Sequence, residues 1–425
     1  MRLQLSDPAD HPYVGTLPFA VDLDEWDLPH IHPVLGLHRH VVKLVELGAD
    51  GNRTSYVVKE LPDRLALREY RLLRSLAEDR LPTATVVAVI TERTGGRDGL
   101  LVTRHLDYAL PYRSLLSGRG LSIPYLGDRL LDSLVGLLVR LHVAGFFWGD
   151  CSLSNALFRR DAGALSAYVI DVETSERHDN LSDGQRRLDL DIAYENVAGG
   201  LLDLQAGGRL VPDVDPFAVA DNIESRYADL WRELTATEEF AADEMWKVEQ
   251  RVRRLHDLGF DIGEMEVIAD EDGQRLRFVP RVVESGYHQE RLFALTGLVA
   301  GENQARRLLD DIRNFRTELQ SRTGTKPPEN IAAVRWLDQR FEPVIAAIPP
   351  SMLGKLQAAE LFHQILEHRW FSSEEQGRDV PLEEAIESYV GNVLVGAPDE
   401  QVRLDPPTGE LLLGDLSGPE PPPGA

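Results

Sequence analysis

HVAGFFWGDCSLSNALFRRDAGALSAYVIDVE, His142 to Glu173, is the stretch whose reading decides the fold. It holds Asp150, then Asn155 after four intervening residues, then Asp171 after one more hairpin. Phe146, Phe147 and Trp148 are apolar enough to plant the loop in a core. Ala156-Leu157-Phe158 and Tyr168-Val169-Ile170 read as two short buried strands. The pattern therefore puts Asp150 and Asn155 on a loop entering a strand, and Asp171 at the end of the next strand.

Phosphoryl transfer calls for such a set. One carboxylate accepts the hydrogen bond of an attacking hydroxyl. An amide oxygen and a second carboxylate hold Mg²⁺ against nucleotide phosphates, whose charge would otherwise repel the attack. In that reading Asp150 is the base, and Asn155 and Asp171 are the metal ligands. Asp-x-x-x-x-Asn alone is equally what ordinary turn chemistry produces, so the upstream sequence decides.

Upstream, HVVKLVEL (His40 to Leu47) and SYVVKEL (Ser55 to Leu61) read as strands joined by a turn at Gly48-Ala49-Asp50-Gly51-Asn52. Period two puts Val57, Lys59 and Leu61 on one face. A lysine on an apolar strand face is costly unless it meets an anion. A nucleotide phosphate is one such anion, and Val57 would then cover the adenine. A snorkelling edge lysine is the alternative. RLALREYRLLRSLAE (Arg64 to Glu78) is an amphipathic helix, with Leu65, Leu72, Leu73, Leu76 and also Glu69 in one sector. Glu69 needs a partner there, because a lone buried charge costs several kcal/mol. Lys59 is the natural one; Arg68 or Arg71 would be a local substitute. Thr85 to Thr91 and Leu100 to Thr103 read as further strands. Arg104 to Leu110 is the expected hinge, so Thr103 and His105 are assigned to the nucleotide through that backbone. Tyr125 to Ala144 is a Leu-rich helix running into the opening stretch. A complete G-x-G-x-x-G loop is missing, and HPVLGLH (His32 to His38) is at best an abbreviated one.

These residues, VVKEL, LREYRLL, FFWGDCSLSNALF and VIDVE, resemble the eukaryotic-like kinase superfamily. The similarity is greatest to its lipopolysaccharide (Kdo-type) kinase branch and to the aminoglycoside-phosphotransferase-like enzymes. The whole chain resembles an actinobacterial family that joins such an N-terminal domain to a helical C-terminal domain of unknown function. YHQERLFALTGLVAGENQARRLLDDIRNFR and LEHRWF carry the second part of that likeness. The resemblance implies ATP and Mg²⁺ as cofactors and a hydroxyl-bearing, non-protein acceptor. It implies Asp150, Lys59 and Glu69 as catalytic residues, Asn155 and Asp171 as metal ligands, and Val57, Lys59, Thr103, His105, Asn155 and Asp171 around the nucleotide. Two departures matter. Gly149 stands where protein kinases carry an arginine that reads a phosphorylated loop. Asp171-Val172-Glu173 replaces DFG, and Glu173 would assist a metal or hold Arg177. Both point away from a protein kinase. The weak glycine loop leaves two alternatives: a nucleotide-binding pseudokinase acting through its C-terminal domain, and a kinase-fold AMP transferase.

The expected fold class is α+β, a bilobal protein-kinase-like fold followed by a mainly α-helical domain with one β-hairpin. The expected limits are an N-terminal extension over 1–30 that wraps the surface and a kinase-like domain over 31–205, with lobes at about 31–105 and 106–205. A helical domain over 217–400 and a disordered tail over 405–425 follow. Within the helical part, 217–258 reads as helical, the hairpin is centred on Glu271-Asp272-Gly273-Gln274, and 288–320 and 330–371 read as helical. His363 and His368 lie five apart, which is not the helical spacing of zinc ligands. Arg306, Arg307, Arg313 and Arg316 either meet an anion or pair with Glu302, Asp310 and Asp311 on their own helix. In the helix following the opening stretch, Asp189 or Asp191 would brace the catalytic loop. Cys151 reads as a small buried residue, and Asp150 beside it would raise its pKa.

The chain of 425 residues has a formal net charge of −25, which disfavours nucleic acid as a partner. One cysteine excludes an internal disulfide. The sequence shows no signal peptide and no transmembrane run, so a cytoplasmic location is expected. The expected partners are a nucleotide, an unidentified hydroxyl acceptor, and a protein partner for the C-terminal domain. Only five lysines accompany forty arginines, so each lysine is informative.

Overall fold

A computed structural model describes residues 1–27, 31–33, 39–49, 52–116, 126–210, 215–235, 238–241, 244, 246, 247, 250, 251, 266–269, 275–279, 286–397, 399 and 400. The abbreviated glycine loop at 34–38, the centre of the second hairpin and the expected tail lie outside them. The chain divides into two compact units. Of the described residues, one holds Met1–Arg74 with Ala84–Asp107; the other holds Ser75–Thr83 with those from Tyr108 to Glu400.

The first unit is built on a six-stranded antiparallel sheet. Its strands are β1 (Arg2–Leu5), β2 (Ile31–Pro33), β3 (Val41–Ala49), β4 (Asn52–Leu61), β5 (Val86–Thr91) and β6 (Gly99–Arg104), in the order β1-β5-β6-β4-β3-β2. Helix α1 (Asp63–Glu78) follows β4 and buries Ala66, Tyr70, Leu73 and Leu76, with Glu69 on the same face. Alternation on β4 buries Tyr56 and Val58 on the other side of the sheet. That side is covered by the first 27 residues, and here the structure departs from a surface-wrapping extension. Val14, Leu17, Phe19, Leu23 and Trp26 are buried against Val45, Tyr56, Val58, Val87 and Ile90. An ion pair between Arg93 and Glu60 fastens this strap, with the Arg93 side chain fully buried. Arg93 Nε donates to Phe19 O at 2.8 Å, and Leu23 N donates to Glu60 Oε2 at 3.1 Å. Lys43 Nζ donates to the carbonyls of Asp24 and Trp26, each at 2.8 Å.

The second unit carries β7 (Ala109–Pro111), α2 (Tyr112–Leu116), α3 (Leu126–Val143), β8 (Phe146–Phe147), β9 (Ala156–Asp161), β10 (Ala164–Val169), β11 (Glu176–Arg177), α4 (Asp183–Ala206) and α5 (Pro216–Thr235). Helix α3 buries the leucines expected of it, Leu130, Leu131, Leu134, Leu137, Leu138 and Leu141. Strands β10-β9-β7 form one small sheet and β11-β8 another. Helix α5 packs on α3 and α4, and Tyr227 of α5 bonds His142 of α3 at 2.8 Å. Helix α5, the first element of the expected domain at 217–400, thus packs on the layer that carries His142. The expected helix over 217–258 is broken after Thr235, and of the described residues beyond the break 246, 247, 250 and 251 are helical again. Strand β12 (Glu238–Ala241) comes next, in a sheet β12-β14-β13 with β13 (Glu266–Ala269) and β14 (Arg275–Val279).

The remaining helices are α6 (Tyr287–Thr296), α7 (Glu302–Thr323), α8 (Glu329–Trp336), α9 (Glu342–Ala346), α10 (Ala358–Gln376) and α11 (Leu382–Asn392). The expected helix 288–320 is two helices, because Gly297 takes a left-handed φ of 74° and ends α6. Around Trp336, Phe341, Phe362 and Leu361 these helices enclose their own core. Helix α7 begins at Gly301, which has no capping side chain. Asp161, at the end of β9, caps it instead, accepting Asn303 N at 3.1 Å and Gln304 N at 2.8 Å. A Cβ on Gly301 would lie 2.4 Å from Asp161 Oδ1, so only glycine admits this cap.

Candidate active site

In the second unit the site is built outward from α3. His142, at its end, is buried, with Nε2 3.0 Å from Asp189 Oδ2. The Asp189 carboxylate also accepts Trp148 N at 2.7 Å and Gly149 N at 2.8 Å. Of the two aspartates left open by the sequence, Asp189 is thus the brace. Asp191 pairs with Arg187 at the surface. Ser175 Oγ donates to Trp148 O at 2.8 Å, so the loop is held from both sides before it reaches Asp150.

Gly149 has φ +77°, and a Cβ there would stand 3.0 Å from Thr174 O and 3.1 Å from Phe147. The arginine usual at this position in protein kinases would be strained here by backbone conformation and crowded by these neighbours.

Asp150 follows. Asn155 Nδ2 donates to its Oδ2 at 2.8 Å and to its backbone carbonyl at 3.1 Å. Asn196 Nδ2, on α4, donates to its Oδ1 at 3.0 Å and to Cys151 O at 3.1 Å. Both carboxylate oxygens are therefore aimed by amide donors on different elements. Asn196 was not among the residues expected from the sequence. Its signal was available: it lies seven residues after Asp189, about two helical turns, and so on the same face of α4.

Asn155 sits on a 3-10 turn, Leu153–Asn155, whose cap Ser152 accepts Asn155 N at 3.2 Å. With Nδ2 committed to Asp150, the other amide atom is an oxygen, the donor a hard cation takes. Asp171 follows β10; its Oδ1 accepts Glu173 N at 3.1 Å and its carbonyl accepts Trp148 Nε1 at 3.2 Å. Arg177 pairs with Asp79 and donates to Ser75 Oγ at 2.7 Å, so Glu173 is not its holder. Cys151 is fully buried, and burial, then the Asp189 and Asp150 charges, push its thiol well above the usual range.

In the first unit, Lys59 Nζ lies 3.1 Å from Glu69 Oε2 and 3.4 Å from Oε1, with the Glu69 side chain 1% exposed. This is the strand-to-helix pair rather than a local pairing along α1. Val57 stands opposite Thr103 in the β4–β6 register. His105 N–H donates to Ser55 O at 2.9 Å, so that donor is spent within the sheet and the carbonyl is the backbone group left to face a ligand.

Among the described residues no three or more His, Cys, Asp and Glu side chains gather as a metal site. Asn155 and Asp171 supply two oxygen-donor side chains, which suits Mg²⁺ completed by phosphate oxygens and water rather than an all-protein cage. No helix among those residues is long and apolar enough to cross a membrane.

Comparison with known proteins is consistent with this arrangement. Residues 49–197 match the model of the lipopolysaccharide kinase (Kdo/WaaP) family, and residues 229–394 match that of DUF4032, a domain of unknown function. A search of curated proteins gave no match. Among solved structures, the chain is similar to WaaP in complex with acyl carrier protein, at 20% identity over 61% of this chain and 99% of that one, with a TM-score of 0.35. It is also similar to the BubR1 kinase domain, at 12% identity over 59% of this chain and 95% of that one, with a TM-score of 0.32. The chain is therefore similar to the lipopolysaccharide kinase (Kdo/WaaP) family over residues 49–197 and to DUF4032 over residues 229–394.

Proposed function

We propose that the protein transfers the γ-phosphoryl group of ATP to a hydroxyl of a non-protein acceptor such as a sugar or glycan. The match to the lipopolysaccharide kinase family supports a kinase-like phosphotransferase of that acceptor class. The observation that carries the finer reading is the double amide clamp on Asp150. A carboxylate with both oxygens held in place is suited to receive one proton from one direction, which is what a general base does.

In this reading the acceptor oxygen forms a bond to the γ-phosphorus, the bond from that phosphorus to the bridging oxygen of ADP breaks, and the acceptor proton passes to Asp150. Asn155 and Asp171 would hold Mg²⁺, which supplies charge neutralisation for the phosphates when bound. Lys59 orients phosphate oxygens, and Glu69 keeps its ammonium in position. Val57 and the Thr103–His105 strand end serve the adenine. Asp189 acts through the loop backbone.

The test is thermal melting with ATP, with and without Mg²⁺, on wild type and Asp171→Ala. Ligand at ~100 times its dissociation constant should add about 2.7 kcal/mol of stability. A Mg²⁺-dependent shift lost in the variant, followed by transfer from γ-labelled ATP in an acceptor screen, is the expected result. Nucleotide-induced shifts without any turnover would leave a pseudokinase. Label entering targets from α-labelled ATP would make it an AMP transferase.

A further inference from the structure

The region that matches DUF4032 holds an open pocket of about 470 Å³ lined by Arg291, Arg313, Arg316, Lys326, Thr317 and Glu329, of which Arg316 and Glu329 are half-buried and the rest exposed. In a chain of net charge −25, four cations against one carboxylate is a strong local inversion. They come from two helices, α6 and α7, and from the turn before α8, whose first residue is Glu329. Bringing cations together is unfavourable in itself, so convergence from separate elements needs a compensating charge.

The protein supplies part of that compensation. Arg291 pairs with Glu329 across the rim, and Arg313 donates to Asp310 at 2.7 Å. Arg316 is fixed at one edge, where Nε donates to Pro327 O at 2.7 Å, and a carbonyl leaves its charge unanswered. The lysines give a second line. Lys43 caps two carbonyls, Lys59 pairs with Glu69, Lys247 pairs with Glu244, and Lys355 caps Val395 O and Ala397 O. Lys326, by contrast, lines the cavity with no hydrogen bond or ion pair to any described residue. The balance of charge is therefore left for a ligand.

We infer that this cavity is a binding site for a phosphate-bearing small molecule, and that ligand binding is a role of the DUF4032 domain. Fixed guanidinium forks and a mobile ammonium are the pairing that phosphates take. The volume lies within the range of small-molecule sites, about 300–1,000 Å³, and exceeds what a single phosphate ion fills. This inference does not rest on the phosphotransfer reading.

The full chain is titrated calorimetrically with sodium tripolyphosphate, at fixed ionic strength and in EDTA to remove metal-dependent nucleotide-type binding. Saturable one-site binding is expected. It should weaken at least ten-fold in Arg313→Glu and in Lys326→Glu, both at exposed positions, and remain unchanged in Arg232→Glu, an exposed charge outside the cavity. The phosphate could also belong to a lipid headgroup. Flotation with phosphatidylglycerol/phosphatidylcholine vesicles, tested with the same variants, separates that source from a soluble one. Binding to either probe that is lost in both cavity variants upholds the site. No binding to either probe, or binding that the two variants leave unchanged, overturns it.

Discussion

At the residue scale, the Asp150 carboxylate is held at both oxygens, and Asn196 supplies one of the two donors. In the proposed reaction Asn196 would act on the base and not on the nucleotide, so its loss should separate turnover from binding. Asn196→Ala removes one charge-assisted hydrogen bond, worth about 1.5–3 kcal/mol. Turnover of ATP should fall by roughly ten- to a hundred-fold. The Mg²⁺-ATP melting shift should persist at wild-type size, which distinguishes the change from a general loosening of the lobe. Unchanged turnover in Asn196→Ala would show that the clamp is incidental. Asp150, Asn155, Asp171, Lys59 and Glu69 stand out in the sequence because each combines a demanding residue type with a definite element, and the structure pairs Lys59 with Glu69 and Asn155 with Asp150. Asn196 does not, because an asparagine on a polar helix carries no such demand until Asp189, seven residues earlier, is known to face the loop.

Elements with a period were legible, and those without one were not. Helix α1 declared itself through its leucines, and the glutamate within their sector identified its own partner. The strap over residues 1–27 gave no such signal. Val14, Leu17, Phe19, Leu23 and Trp26 follow one another at intervals of three, two, four and three residues, keep to no single period, and are set among Pro and Asp. Their burial is decided from outside the segment, by the hydrophobic back face of β4 and by the Arg93–Glu60 pair. The strap is therefore part of the core, and Trp26 tests this. It is 3% exposed, and its Nε1 donates to Val21 O at 3.0 Å. Trp26→Ala removes a large apolar side chain and orphans that carbonyl. It should cost about 3–5 kcal/mol in urea unfolding. A cost near zero would mean that the strap lies on the surface, as its composition alone suggests.

At the scale of the molecule, buried acids tie β9 and its turn to the helical domain, and they give stability a pH dependence. Asp161 caps α7. Glu360 accepts Ala162 N at 3.0 Å and Gln304 Nε2 at 2.7 Å, and Glu400 pairs with Arg160 at 2.7 Å. Burial raises the carboxyl of Asp161. It raises Glu400 from 4.5 to about 7, against the pull of Arg160 and with help from the charge of Glu360. Between those two values the folded chain keeps a proton on Glu400 that the unfolded chain has released. Unfolding then gives up a proton, so stability falls as pH rises through the window and the full penalty stands above pH 7. Asp161 acts in the same direction. His363, lowered by burial, acts oppositely, losing stability on acidification below its ordinary value. Glu400→Gln isolates the one term, since the amide keeps a hydrogen-bonding oxygen for Arg160 and cannot titrate. At about 1.4 kcal/mol per pKa unit, wild-type stability relative to this variant should fall by roughly 2–4 kcal/mol between pH 4.5 and pH 8. Urea unfolding of both proteins across that range measures the difference directly. A difference independent of pH would mean that Glu400 stays ionised throughout, with Arg160 outweighing its burial.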